Sequence, residues 1–100
     1  MGLGWVQGMV EAPNGLPGSE IVAQGLRDLA AGVESVPALL VAIGGPRLRR
    51  SGLDVPEGPS SPEHRLYALL AREAPDSAHG RFNALIRRLV SFERALECGR

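Results

Sequence analysis

Lysine and threonine are missing altogether, and cysteine and tryptophan occur once each in one hundred residues. A lone Cys98 excludes an intrachain disulfide and fits a reducing compartment, so a cytoplasmic protein is expected. Near the chain end it reads as an exposed, inert thiol. Net charge of one sign is also absent, because eleven arginines face eleven acids. No global field therefore draws the chain toward nucleic acid or an anionic membrane. The arginine count is read as a composition bias, together with abundant Ala, Gly, Pro and Leu, and carries no functional weight.

Long hydrophobic runs are lacking too. The longest, residues 36–43, is interrupted by Pro37 and falls well short of the ~20 residues that cross a bilayer. Residues 1–18 have no basic segment ahead of an apolar one, so a secretory signal is not expected. No segment alternates polar and apolar residues convincingly or is rich in β-branched side chains, which argues against a sheet.

Chemical motifs are equally sparse. His64 and His79 have no cysteine or His-x-x-x-His companion, so no metal site and no cofactor are expected. Gly44 and Gly45 before Arg47 lack both the phosphate-loop lysine and the dinucleotide glycine spacing, and read as a helix stop. Glu73, Asp76 and Glu93 are not gathered by any spacing, so no catalytic residue is assigned. Arg72 and His79, with six residues between them, match a spacing that resembles the Arg-x(4–6)-His pattern of HEPN-type ribonucleases, which are small helical dimers. That family carries both residues on one helix, whereas Pro75 should end the helix here.

What is present is helical periodicity. Phe82, Leu85, Ile86, Leu89, Phe92 and Leu96 fall within an arc of roughly 120° when residues 77–97 are wound at about 100° per position. Glu93 lies near the middle of that arc. Either it pairs with an arginine of another element, with Arg47, Arg49, Arg50 and Arg72 as candidates, or the helix leaves the core before reaching it. If the pair forms, Glu93→Gln is expected to cost more than about 1 kcal/mol.

Three earlier helices are expected. Ser19 is placed as N-cap of one running to residue 31, with Gly32 as its stop and Gly25 permitting close approach of a neighbour. Ser35 caps a second that ends at Gly44, Gly45 and Pro46, although residues 39–43 alone would also suit a buried strand. Residues 46–50 add a further turn, and residues 51–60 form a loop. Ser60 with Glu63, or Ser61 with Pro62, opens a third helix, which Pro75 stops; Asp76 or Ser77 caps the last. The expectation is an all-α, four-helix domain over residues 19–100, preceded by a Gly/Pro-rich flexible arm over residues 1–18. Trp5, Val6, Met9 and Val10 keep helical spacing within that arm and suit docking on a groove.

Two functions are consistent with this pattern. A domain this small with long apolar stripes tends to bury them between copies, so a self-associating interaction module, most simply a homodimer, is expected through Trp5, Leu85, Leu89 and Phe92. The alternative is an accessory module whose Arg47, Arg49, Arg50, Arg87 and Arg94 bind RNA or DNA phosphates without sequence preference. Base reading is excluded for residues 36–43, which offer no side chain able to hydrogen-bond a base edge.

Overall fold

Four consecutive side chains, Ala38, Leu39, Leu40 and Val41, are at most 1% exposed, which requires a helix covered on every side. The computed structural model describes residues 15–98, and the helices among them are α1 (Ser19–Ala30), α2 (Val36–Arg50), α3 (Pro62–Glu73) and α4 (Ala78–Cys98). No strand occurs among the described residues, so the fold is all-α. Helix α2 is the central member: it packs against α1, α3 and α4, while α3 also packs against α4. Leu26, Leu66, Leu70 and Phe92 close the core around it.

The α1–α2 contact depends on Gly25. A Cβ there would overlap the Pro37 carbonyl oxygen and the Val41 side chain, so only glycine allows this approach.

The helix boundaries differ from the sequence expectations in instructive ways. Gly44, Gly45 and Pro46 do not end α2, which runs on to Arg50. Proline removes the amide that would bond the Ala42 carbonyl, yet tertiary contacts secure the turn beyond it. Leu48 is fully buried there, and Arg49 donates to the carbonyls of Val55 at 3.1 Å and Pro56 at 3.2 Å. The actual stop is Gly52, with φ 103°. Its amide bonds the Arg49 carbonyl and the Leu53 amide bonds the Leu48 carbonyl, the paired pattern of a left-handed helix cap. Helix α1 ends the same way: Gly32, at φ 76°, bonds Leu29, and Val33 bonds Asp28. Because the chain has already turned at Gly32, Val33 does not join the buried stripe of α1 and is 49% exposed.

Caps follow the same division. Ser35 accepts from the Ala38 amide at 3.2 Å and donates to Asp28, tying the two ends of the α1–α2 turn together. Gly18, in a left-handed conformation, precedes α1 where Ser19 had been placed as the cap. Ser61 precedes α3 without a side-chain cap, and a 3-10 turn, Pro75–Ser77, leads into α4. The folded body also begins earlier than residue 19, since Leu16 packs against the core.

Candidate functional site

A polar cluster where α2 meets α4 is built on two small consequences of helix packing. Gly44 lets α4 approach so closely that a Cβ would stand 2.7 Å from Glu93 Oε2 and 3.0 Å from Leu89 Cδ1. One turn further along α2, Arg47 reaches over that gap. Its Nη1 donates to Glu93 Oε1 at 3.1 Å, while Nε and Nη2 donate to the two carboxylate oxygens of Glu97 at 2.6 Å and 2.9 Å. One guanidinium thus holds two glutamates spaced one turn apart on α4, with a two-pronged grip on the outer one.

The two carboxylates experience this grip differently. Glu93 is 5% exposed, and burial pushes its carboxyl above the ordinary range, with Arg47 offsetting only part of that cost. Glu97 is exposed, and the hydrogen bonds from Arg47 hold it below the ordinary range. Arg47 itself is held more firmly protonated, chiefly by its bonds to Glu97.

Of the four arginines considered as partners of Glu93, Arg47 is the one that meets it. Glu97 was not singled out from sequence, although its position four residues after Glu93 places it on the same side of the helix.

The remaining arginines disperse. Arg49 is turned onto the loop carbonyls, Arg65 pairs with Glu34 at 3.1 Å, and Arg81 pairs with Glu73 at 3.2 Å. Arg50 and Arg94 lie near enough to Glu97 to help keep it ionised. Arg47, Arg49, Arg50, Arg87 and Arg94 are thus engaged in different ways. Three of them surround a carboxylate, Arg49 serves the loop, and Arg87 lies on the outer face of α4. Arg87 and Arg88 make no ion pair or hydrogen bond among the described residues.

The residues expected to self-associate are also separated. Leu89 is 3% exposed and Phe92 is fully buried, because the chain's own helices cover them. Neither presents its side chain at the surface of the chain. Leu85 is half-buried, and Trp5 lies outside the described residues. What the stripe leaves partly uncovered is its first half, Phe82, Leu85 and Ile86. Beside it Tyr67 is 40% exposed, its ring centroid 5.7 Å from that of Phe82 in a tilted arrangement. Helical periodicity does not reveal this pairing, because sequence does not show how α3 crosses α4.

No group of three or more potential metal ligands occurs among the described residues. Arg72 and His79 fall on different helices, separated by the 3-10 turn, and His79 lies 3.2 Å from the Asn83 amide nitrogen. No described helix is long and apolar enough to cross a membrane. Compared with known proteins, the chain matches no family model, no curated sequence and no solved structure.

Proposed function

We propose that this chain is a small helical interaction module that self-associates, most simply as a homodimer, through the first half of α4 and the adjoining Tyr67. The observation that carries the reading is the incomplete cover of that stripe: Tyr67 is 40% exposed against Phe82, while Leu85 and Ile86 are only partly buried. Aromatic side chains that are ordered by a neighbour yet remain half open bring large apolar area to an interface at little further entropic cost. A twofold contact between two copies of α4 would bury this strip against itself. A cytoplasmic setting accords with the single exposed Cys98.

Light scattering tests the proposal. A mass near twice 10.6 kDa for the native chain, returning to 10.6 kDa for Tyr67→Asp, is the expected result. A native monomer at high concentration overturns it.

A second reading, nonspecific binding of RNA or DNA phosphates, is favoured by Arg87 and Arg88, which have no acid partner among the described residues. It requires anisotropy of a labelled oligonucleotide to rise with protein and to fall steeply with salt. Arg87→Ala with Arg88→Ala would then reduce the salt slope.

A further inference from the structure

We propose that residues 1–14 dock back onto α4 of their own chain, with Trp5 and its apolar neighbours in a groove between residues 17–18 and α4, and Glu11 against Arg87 and Arg88. This goes beyond self-association and does not depend on it.

The receiving surface is a groove of about 500 Å³ lined by Pro17, Gly18, Ala84, Arg87, Arg88 and Ser91. It adjoins a second hollow of about 270 Å³, lined by Gly15, Leu16, Ser19 and Glu20, and the two share Gly18 and Arg88. The floor is apolar and small-sided. The rim is cationic, and its two arginines lack acid partners among the described residues.

The chain enters at this place. Gly18 sits against the α4 backbone so closely that a Cβ would lie 3.1 Å from the Arg88 carbonyl oxygen, and the Ser19 amide bonds the Leu16 carbonyl at 3.1 Å. These contacts fix residues 16–19 on α4, and Gly15 lines the adjoining hollow.

The composition of residues 1–14 complements that surface. Glu11 is the only charged side chain among them, and Trp5, Val6, Met9 and Val10 are the large apolar ones apart from Met1 and Leu3. Glu11 is four positions before Gly15, a reach of up to about 14 Å, and Gly15 and Arg88 line the same hollow. Trp5 is ten positions before Gly15, up to about 35 Å, enough to span a helix about 31 Å long. Arginine beside an indole also gains a cation–π contact. A short tether holds the segment at an effective concentration on the order of millimolar, which favours the groove of the same chain over that of a second copy.

Trp5 is the only tryptophan, so its fluorescence reports the docking alone. In the full chain its emission should be blue-shifted and its acrylamide quenching several-fold weaker than in a free peptide of residues 1–14. Arg87→Glu with Arg88→Glu, both on the solvent face, should raise quenching to the peptide value while the helical circular dichroism is unchanged. Adding Glu11→Arg should restore the protection, an effect that a merely perturbed fold would not give. Peptide-like quenching in the native chain, or no response to the charge reversal, overturns the proposal. So does protection that disappears on dilution, which would assign the groove to the segment of a second copy.

Discussion

Arg47 and Glu93 are 46 residues apart in the chain, yet guanidinium and carboxylate meet at 3.1 Å where α2 crosses α4. The contact joins the last turn of a helix that its own sequence should have ended to the one acid in an otherwise apolar stripe. Its energetics are divided, because burial of Glu93 outweighs the attraction of Arg47 and leaves the carboxyl easier to protonate than in water.

That direction revises the expected effect of Glu93→Gln. The amide keeps an oxygen to accept from Arg47, removes the buried charge and leaves Arg47 its two bonds to Glu97. Because folding raises the Glu93 carboxyl, its contribution is in place below the ordinary carboxylate range and is lost as pH rises through the raised value. Glu93→Gln should therefore melt closest to the native chain in acid, and gain on it as pH rises through the raised value. A variant whose deficit grows with pH would contradict this.

Arg47→Met should behave in the opposite way. It leaves Glu93 buried without a cation and adjacent to Glu97, so the melting temperature should fall most at neutral pH and least in acid, once both carboxyls are protonated. The Glu97 bonds act in the same sense: folding lowers that carboxyl, so their support is present above the ordinary range and is lost as pH falls through the lowered value. Thermal melts across pH check both variants.

Pro46→Ala and Gly52→Ala should have opposite signs. Restoring an amide in the interior of α2 should stabilise the domain by about 1 kcal/mol, since Pro46 is exposed and interrupts the backbone ladder. A Cβ at Gly52 meets a left-handed backbone and should cost about 1 kcal/mol. Urea denaturation gives both values directly.

Gly25→Ala tests the closest helix approach. The added methyl collides with the backbone of α2 at Pro37, where the neighbour cannot yield by turning a side chain, so a loss of about 2 kcal/mol or more is expected. A neutral result would show that α1 and α2 can separate without cost.

Phe92→Ala should destabilise the chain by about 3–5 kcal/mol, as a cavity inside one molecule does. The loss should be independent of protein concentration, which distinguishes an intrachain core residue from an interface residue. Denaturation at two concentrations a hundredfold apart, by design, decides between them.

The sequence by itself determined the helical class, the start of α2 at Ser35, the stop of α1 at Gly32 and the tight passage at Gly25. Each depends on local periodicity or on a backbone angle that one residue type satisfies. It also marked Glu93 as a group in need of a cation. Tertiary structure alone decided which arginine answers, how Glu97 joins it, and that α2 continues through Gly44, Gly45 and Pro46. Leu48 secures that last turn by its burial in the core, Arg47 by its bonds to Glu93 and Glu97 on α4, and Arg49 by its bonds to the loop that follows, and together these outweigh a local stop signal. The same rule places Leu89 and Phe92 inside the core. A helical stripe specifies that one face must be covered, and only the packing of α2 and α3 on α4 determines how much of it the chain covers itself.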